Sequence, residues 1–274
     1  MNAECPVCPR RCVIADGRTG YCGARKNEGG RITCDNYGMV TSMSLDPIEK
    51  KPFRKYYPGS SILSVGSYGC NLRCPWCQNH GISMPDIMPG TTFVAPGTLV
   101  EKALSLKETG NIGIAFTYNE PLIGYEYVMD CARLAGGAGL RTALVTNGNV
   151  NETALRDLLP FIDAMNIDLK GFRAELYEMI GGDLESVKSA ISISAVSAHI
   201  EVTTLIVPGE NDSENEMEEL SSWLSSINEE IPLHVSRFFP RHKYSDKRPT
   251  PLETIHALAG VARRHLRHVY TGNC

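Results

Sequence analysis

The sequence of 274 residues contains no long apolar run, because its apolar stretches are of strand length and are broken by glycine, proline or charged residues. A transmembrane helix needs about 20 consecutive apolar residues, so we expect no membrane partner. Basic residues are not in excess either: 27 Lys and Arg stand against 31 Asp and Glu, for a net charge of -4. Nucleic-acid-binding proteins usually carry a basic face, so we also expect no nucleic-acid partner.

The amino terminus lacks the basic and apolar regions of a secretory signal, since residues 1–5 read Met-Asn-Ala-Glu-Cys. We therefore expect a cytoplasmic protein. Cysteine, in contrast, is plentiful, with ten residues in the chain. In a reducing cytoplasm, clustered cysteines more often bind metals or carry out redox chemistry than form disulfides. The cysteine clusters are therefore the strongest indication of function.

Three cysteines, Cys70, Cys74 and Cys77, have the spacing Cys-x3-Cys-x2-Cys. Thiolates favour zinc or iron-sulfur clusters over hard cations. Three thiolates can hold three irons of a 4Fe-4S cluster and leave the fourth iron open to substrate. Zinc usually needs a fourth protein ligand, which His80 could supply. We favour the 4Fe-4S cluster at this site.

Four further cysteines near the amino terminus are spaced by two, three and nine residues: Cys5, Cys8, Cys12 and Cys22. Four sulfurs at such spacing can close a tetrahedral zinc site or hold a second 4Fe-4S cluster. Either metal would stabilise a segment too small to bury its own core. We slightly favour zinc, and Cys34 is an alternative ligand. An iron-sulfur cluster would instead allow the segment to relay electrons.

The pattern of the chain changes near residue 60. Residues 1–60 are rich in Cys, Gly, Arg and Lys and predict a small metal-binding segment. Over residues 61–274, short apolar or β-branched runs alternate with helical segments. Six strands are predicted, at 61–65, 112–116, 141–145, 164–169, 201–207 and 233–238. Repeated βα units predict an α/β fold with a parallel sheet, either a partial (β/α)6 TIM-like barrel or an open doubly wound sheet.

Residues suited to binding sites follow or end the predicted strands. Besides the Cys70 loop they are Asn119, Glu120, Thr146, Asp168, Lys170 and His234. Because the carboxyl ends of parallel strands meet at one face of a barrel, we expect these side chains to form one site.

Each of these residues also has a purely structural explanation. Asn119 and Glu120 precede Pro121 and could simply begin a helix. Thr146 begins an ordinary turn tripeptide, and Asp168 and Lys170 share one strand face and could form an ion pair. His234 could be a hydrogen-bonded core histidine. Their common position at strand ends favours a binding site.

The cysteine loop resembles the signature of the radical S-adenosylmethionine (SAM) enzymes, Cys-x3-Cys-x-aromatic-Cys, with Trp76 as the aromatic residue. The resemblance extends to the Asn-Glu-Pro turn at 119–121, to Asp-Leu-Lys at 168–170 and to His-x-Ser-Arg-Phe at 234–238. These motifs are similar to those of the pyruvate formate-lyase activating enzymes. Residues 46–52 and the amino-terminal cysteines resemble a branch called AmmeMemoRadiSam. The resemblance implies a (β/α)6 partial barrel with one SAM-cleaving 4Fe-4S cluster.

The resemblance also implies roles for individual residues. The cluster would be ligated by Cys70, Cys74 and Cys77. The adenine of SAM would be bordered by Trp76, Cys77 and Gln78, and its amino group would lie at Asn119 and Glu120. The SAM pocket would be completed by Thr146, Asp168, Lys170 and His234. The chain departs from the activating enzymes in two places. Tyr118 stands where they usually carry glycine, and Val145 where they tend to carry an aspartate of a cation site.

The implied activity is reductive cleavage of SAM to a 5'-deoxyadenosyl radical that abstracts hydrogen, with the cofactors carrying the chemistry and no further catalytic residue. A glycine in a partner protein is the substrate that the activating enzymes suggest. A small molecule or a protein side chain is the alternative. An electron donor such as flavodoxin or ferredoxin would be a partner. A non-catalytic zinc-binding interaction protein is the hypothesis from a different class.

Overall fold

The computed structural model describes residues 1–87 and 89–274. Its strands in chain order are β1 (Ala3–Glu4), β2 (Val13–Ile14), β3 (Arg25–Glu28), β4 (Arg31–Cys34), β5 (Met39–Val40), β6 (Ser42–Pro47), β7 (Ser61–Gly66), β8 (Thr92–Phe93), β9 (Asn111–Phe116), β10 (Arg141–Thr146), β11 (Ala164–Asp168), β12 (His199–Ile206), β13 (Leu233–Arg237) and β14 (Val269–Gly272). Its α-helices are α1 (His80–Ser83), α2 (Pro96–Ser105), α3 (Tyr125–Gly137), α4 (Glu152–Leu158), α5 (Ala174–Ile180), α6 (Leu184–Ser194), α7 (Glu214–Ile227) and α8 (Leu252–Ala262). Short 3-10 helices cover Ile48–Lys50, Lys107–Thr109, Pro121–Gly124, Leu159–Phe161 and His242–Tyr244.

Eight strands form one sheet in the order β14-β13-β12-β11-β10-β9-β7-β6. Neighbouring strands from β7 to β14 are parallel, and β6 runs antiparallel to β7. The parallel strands follow chain order without a reversal, so right-handed crossovers return on the same face of the sheet each time. A doubly wound sheet would reverse its order at a switch point. The partial TIM-like barrel is therefore confirmed, and the doubly wound alternative is wrong.

All six predicted strands are present, as β7 and β9 to β13. The sequence pattern did not indicate β6 and β14, which are the two edges of the sheet. Within residues 1–87 and 89–274, no strand pairing joins these two edges. The barrel is therefore open along the side between β6 and β14.

The main core lies between the sheet and the helices packed on it. In α3, for example, Val128, Cys131, Ala132 and Ala135 are buried at helical spacing and belong to this core. Such an apolar stripe fixes which face of a helix meets the sheet. Cys131 is fully buried there, in agreement with a structural rather than a ligand role.

A second core lies inside the barrel. Phe53 and Tyr56, from the segment between β6 and β7, pack with Ala115, Ala143 and Ala164 of neighbouring strands. The small alanine side chains leave room for the two aromatic rings. This segment leads into the first residue of β7, and the Cys70 loop comes after the last residue of β7. The two lie at opposite ends of that strand. The segment therefore closes the end of the barrel opposite the Cys70 loop.

The amino-terminal residues form two small hairpins, β1–β2 and β3–β4. Cys22 and Ala24 pack against Tyr68 and Ile123 of the barrel. Although β6 lies within residues 1–60, it belongs to the barrel sheet, and the domain boundary at residue 60 stays a prediction. Of the helices in the described part of the chain, none is both long and apolar enough to cross a bilayer.

Candidate functional site

One cavity of about 770 Å³ lies at the carboxyl ends of the barrel strands. The predicted barrel-site residues all line it: Cys70, Cys74, Trp76, Cys77, Gln78, Asn119, Glu120, Thr146, Asp168, Lys170 and His234. Both edge strands contribute as well, through Asp46 of β6 and Thr271 and Gly272 of β14. The cavity therefore extends to the open side of the barrel. The structure brings the predicted residues together, while their individual roles remain predictions.

The Cys70 loop is shaped by backbone hydrogen bonds. The Arg73 N–H donates to the Ile180 carbonyl at 2.7 Å, and the Cys77 N–H donates to the Cys74 carbonyl at 3.1 Å. Gly69, at φ +84°, begins the loop in a backbone conformation that favours glycine. A Cβ atom at this position would lie 2.6 Å from the Cys22 carbonyl oxygen, so the close approach of the two segments also requires glycine.

The three thiols of this loop are protonated while no metal is bound. Burial raises the pKa of Cys74 to about 12 and also raises the pKa values of Cys70 and Cys77 above their ordinary value. Binding of a metal therefore displaces protons, as is usual for thiolate sites. Three soft donors beside a large cavity fit a 4Fe-4S cluster with one iron open to a small molecule.

His80 does not complete a zinc site in this arrangement. Its Nδ1 lies 3.2 Å from the Cys77 carbonyl oxygen, and its ring stacks on His242 with centroids 4.6 Å apart. It is not among the residues that line the cavity. Across residues 1–87 and 89–274, no group of three His, Cys, Asp or Glu side chains is placed to hold a single metal ion.

Glu120 lies almost fully buried in the wall of the cavity. Its Oε1 accepts hydrogen bonds from the Leu122 N–H at 2.9 Å and the Thr146 hydroxyl at 2.6 Å, and its Oε2 accepts from the Asn147 N–H at 2.8 Å. Burial raises the pKa of this carboxyl to about 7, although these hydrogen bonds oppose the shift. Glu120 thus caps the short helix Pro121–Gly124, as the structural explanation expected, and also presents a carboxyl group at the cavity.

Asn119 connects its turn to the segment that leads into the Cys70 loop. Its Oδ1 accepts from the Ser67 N–H at 2.9 Å, and its Nδ2 donates to the carbonyls of Tyr68 at 3.0 Å and Gly69 at 3.2 Å. The amide thus uses both of its ends on backbone groups. Asn119 fixes the path of the chain immediately before Cys70.

Tyr118 takes an unusual backbone conformation with φ +73°. Its hydroxyl donates to Asp46 Oδ2 at 2.8 Å, and Lys51 Nζ lies 3.0 Å from the same oxygen and 4.3 Å from the centroid of the tyrosine ring. All three side chains line the cavity. The sequence indicates Tyr118 only as a departure from glycine, and it gives no sign that Asp46 and Lys51 are its partners in the site.

Asp168 and Lys170 form the ion pair that their spacing allowed, with Asp168 Oδ2 2.6 Å from Lys170 Nζ. Burial lowers the pKa of Lys170, but the Asp168 carboxylate together with Cys74 and Tyr177 raises it above its ordinary value, so the ammonium group is charged. The Lys170 N–H also donates to the Tyr177 hydroxyl at 3.0 Å. The pair presents one positive and one negative group to the cavity.

Asn147 was not predicted as a site residue, although it lies in the turn after β10. Its Nδ2 donates to Asn71 Oδ1 at 2.9 Å and lies 3.6 Å from Cys70 Sγ. The neighbouring Thr146 hydroxyl is the group that bonds Glu120. The turn therefore joins the carboxyl group to the thiol loop, and an asparagine in a strand-end turn was the available signal.

His234 meets a buried carboxylate that was also not predicted. Its Nε2 lies 2.6 Å from Glu201 Oε2, and Glu201 further accepts from the N–H groups of Arg54 and Lys55 at 2.9 Å and 2.8 Å, and from His199 at 3.0 Å. Burial raises the pKa of Glu201, but the hydrogen bonds from the two histidines and two N–H groups outweigh this effect and lower it to about 2. Glu201 holds His234 in place and anchors the segment that closes the barrel.

The remaining two predicted barrel residues, Trp76 and Gln78, flank Cys77 in the cavity wall. The ring of Trp76 is buried and lies 5.7 Å from that of Tyr244.

A separate, small pocket lies in the amino-terminal segment. All four predicted cysteines line it: Cys5, Cys8, Cys12 and Cys22. Cys34 does not line it, and its Sγ instead lies 3.1 Å from Asn36 Oδ1. All ten cysteines are free thiols. The structure thus brings the four amino-terminal thiols together without showing a metal.

Comparisons with known proteins agree with this architecture. A family model described as the radical SAM superfamily matches residues 64–224, more than half of the chain. An uncharacterized protein of Methanocaldococcus jannaschii is 38% identical over 278 residues, covering 99% of this chain and 81% of that protein. The pyruvate formate-lyase-activating enzyme of Clostridium pasteurianum is 25% identical, covering 65% of this chain and 77% of that enzyme.

Among solved structures, Streptococcus suis SuiB bound to S-adenosylmethionine is similar, with a TM-score of 0.57 and 15% identity. The match covers 76% of this chain and 48% of that one. At this level of identity the similarity concerns the fold alone.

Proposed function

This chain belongs to the radical SAM superfamily, and from that premise we propose that its barrel cavity binds a 4Fe-4S cluster and SAM in order to abstract a hydrogen atom from a partner protein. Cleavage of SAM is the general activity that family membership supports. The observation that carries the proposal is the single cavity lined by the Cys70 loop and by all the predicted SAM-binding residues. A non-catalytic zinc-binding interaction protein would leave this cavity and its polar lining unexplained.

In this proposal Cys70, Cys74 and Cys77 hold the cluster. When both cofactors are bound, one electron and SAM give methionine and a 5'-deoxyadenosyl radical, which takes one hydrogen atom from the substrate. The protein's own contribution is to bind, to orient and to exclude water. Its cavity walls are well suited to these tasks, because the polar groups that line it are held by buried hydrogen bonds.

The charges in the cavity match the groups of SAM. Glu120 is the buried carboxyl group that accepts from the Asn147 N–H, and we assign it, with the backbone of the turn at Asn119, to the amino group of SAM. The Lys170 ammonium and its partner Asp168 suit the carboxylate and the ribose hydroxyls. Trp76, Cys77 and Gln78 border the adenine, and Thr146 and His234 complete the pocket. Opposite charges at fixed positions favour one orientation of a zwitterionic ligand.

The substrate enters from the open side of the barrel in this proposal. The cavity is lined by β6 on one side of the opening and by β14 on the other. We propose that a peptide loop with a glycine at its tip enters between these two strand edges. Similarity to a pyruvate formate-lyase-activating enzyme supports a glycine in a partner protein as the hydrogen donor. An electron carrier such as flavodoxin or ferredoxin would supply the electron.

The proposal is tested by replacing Cys74 with alanine and measuring 5'-deoxyadenosine formed from SAM. Protein should be purified and reconstituted without oxygen and then reduced with dithionite. We expect the wild type and the control Cys131→Ala, which removes a buried thiol outside the cavity, to form deoxyadenosine, and Cys74→Ala to form none. Cleavage retained in Cys74→Ala would overturn the cluster assignment.

The identity of the substrate needs a second experiment. A partner protein labelled with deuterium at glycine should transfer deuterium to 5'-deoxyadenosine and show a glycyl radical by electron paramagnetic resonance. Deuterium transferred only from a labelled small molecule or protein side chain would favour those substrates instead. A colourless zinc protein without affinity for SAM would contradict the enzyme proposal altogether.

A further inference from the structure

We infer that the pocket formed by Cys5, Cys8, Cys12 and Cys22 is a second metal site, and that its metal holds the Cys70 loop in the shape that retains the first cluster. The first part of this inference stands on the pocket alone. The second part rests on the proposed function of the Cys70 loop. The two parts are tested by different measurements.

The donor set of the pocket consists of sulfur. The rest of the lining includes no histidine or carboxylate; it combines apolar residues such as Val7 and Ile14 with the polar residues Arg10, Tyr21, Arg25 and Asn71. Cys5, Cys8 and Cys22 are less than 9% exposed. Thiolates without oxygen ligands select zinc or an iron-sulfur cluster. Among the residues that the structure describes, no three such side chains are placed around one ion, so the arrangement fits a cluster, whose irons each take a separate thiolate, better than zinc. Metal analysis distinguishes the two.

The fold of the segment brings the four cysteines to the pocket from two places, the β1–β2 hairpin loop and the loop before β3. The Cys5 N–H donates to the Cys12 carbonyl at 2.9 Å, which closes the β1–β2 hairpin. Cys8 lies in the turn of this hairpin, and Cys22 comes from the loop that precedes β3. The apolar core here is very small, since it consists of Cys5, Val7 and Ile14. A segment with so little buried apolar surface gains stability from a metal that cross-links its turns.

A positive charge lies beside the pocket. Arg25 lines the pocket and is only 3% exposed. Four thiolates around one zinc ion, or around a cluster, carry net negative charge, and of the Arg25–Glu126 ion pair it is the guanidinium that lines the pocket. Arg25 is itself held by Glu126, with both guanidinium nitrogens 2.6 Å from the carboxylate oxygens, so its position does not depend on the metal.

The pocket is in direct contact with the Cys70 loop. The Cys22 carbonyl accepts from the Cys70 N–H at 3.2 Å. The preceding residue, Tyr21, accepts a hydrogen bond from the Arg73 guanidinium through its carbonyl, and the same guanidinium lies 4.0 Å from the centroid of the Tyr21 ring. A metal bound to Cys22 would therefore fix two backbone carbonyls that hold the Cys70 loop.

Asn71 provides a second connection, because it belongs to the Cys70 loop and also lines the amino-terminal pocket. Its Oδ1 accepts from Asn147 Nδ2, the atom that lies 3.6 Å from Cys70 Sγ. Its Nδ2 donates to the Asn149 carbonyl at 2.6 Å. The Asn71 side chain therefore lies between the amino-terminal thiols and the thiols of the Cys70 loop.

The first test is metal analysis of Cys8→Ser against the wild type and Cys131→Ala, each purified and reconstituted without oxygen. We expect Cys8→Ser to lose roughly one zinc or roughly four irons per chain relative to both controls, and the element lost identifies the metal. Cys34→Ser should lose neither. An unchanged metal content in Cys8→Ser would overturn the second site. Cys12→Ser, at a less buried position, serves the same purpose if Cys8→Ser does not fold.

The second test measures how fast iron leaves the Cys70 site when a chelator is added. We expect release to be several-fold faster in Cys8→Ser than in Cys131→Ala. Gly69→Ala, which brings a Cβ within 2.6 Å of the Cys22 carbonyl, should also release this iron faster while keeping the amino-terminal metal. Equal release rates would overturn the coupling and leave the metal site intact. If the Cys70 proposal itself is wrong, Cys74→Ala will have the same iron content as the wild type.

Discussion

Replacing Glu120 with glutamine removes one negative charge from the cavity wall and keeps the shape of the side chain. In the wild type, Oε1 accepts two hydrogen bonds and Oε2 accepts one, from the Asn147 N–H. The amide of glutamine has only one oxygen, so its NH₂ group would face a donor, and at least one buried N–H would lose its partner. A buried donor without a partner costs about 1–3 kcal/mol.

The raised pKa of Glu120 provides an opposing effect. A shift from 4.5 to about 7 corresponds to about 3 kcal/mol, since one pKa unit is about 1.36 kcal/mol. Because the folded-state pKa is the higher one, the wild type has this stability below pH 4.5 and loses it as the pH rises through about 7. Glutamine does not titrate. Glu120→Gln should therefore be as stable as the wild type, or more stable by up to about 2 kcal/mol, at pH 8.

The same substitution, Glu120→Gln, should weaken the binding of SAM. If the Glu120 carboxylate contacts the ammonium group of SAM, the lost charge-assisted hydrogen bond is worth about 1.5–3 kcal/mol, or roughly a 10- to 150-fold increase in Kd. Calorimetric titration of the reconstituted variant with SAM measures this change, and urea unfolding of metal-free protein between pH 5 and pH 8 measures the stability. Unchanged Kd would refute the binding role and leave Glu120 as a helix cap.

Three further changes test other parts of the site. Tyr118→Phe removes the donor to Asp46 and should lower the free energy of unfolding by about 1.5–3 kcal/mol in urea titrations; an unchanged value would show that Lys51 alone satisfies Asp46. Glu201, with its pKa lowered to about 2, contributes stability above pH 4.5 that is lost as the pH falls toward 2. Glu201→Gln should therefore reduce the loss of stability between about pH 4.5 and pH 2, by up to about 3 kcal/mol, and an unaltered loss would contradict this assignment. Asn147→Ala removes a donor near Cys70 Sγ and should make the reduction potential of the cluster more negative in a redox titration, since hydrogen bonds to sulfur stabilise the reduced form; no shift would refute the contact.

The barrel could be predicted because its signal is local. Each of the six predicted strands is a short apolar run, and the residues after these runs meet at one end of a parallel sheet. β14 escaped prediction because a short edge strand such as Val269–Gly272 has few residues to show a pattern. β6 alternates polar residues with the apolar Met43 and Leu45 over Ser42–Pro47, but the run is short and ends in proline, and its place in the sheet depends on pairing with β7.

The contacts within the site could not be predicted in the same way. The bond between His234 and Glu201 joins two strands, and its strength depends on the N–H groups of Arg54 and Lys55, which reach Glu201 from a distant segment. Tyr118 likewise reaches Asp46 from 72 residues away. Hydrogen bonds between residues far apart in sequence require the folded chain. The residue types at strand ends were visible in the sequence, but which of them bind one another was not.

The most direct test of the central claim is the electron paramagnetic resonance spectrum of the reduced, reconstituted protein with and without SAM. Our account places a 4Fe-4S cluster on three thiolates, with one iron free to bind SAM in the cavity. We predict that SAM changes the spectrum of the wild type and that Cys74→Ala gives no such cluster signal. A cluster spectrum that SAM leaves unchanged would contradict the account.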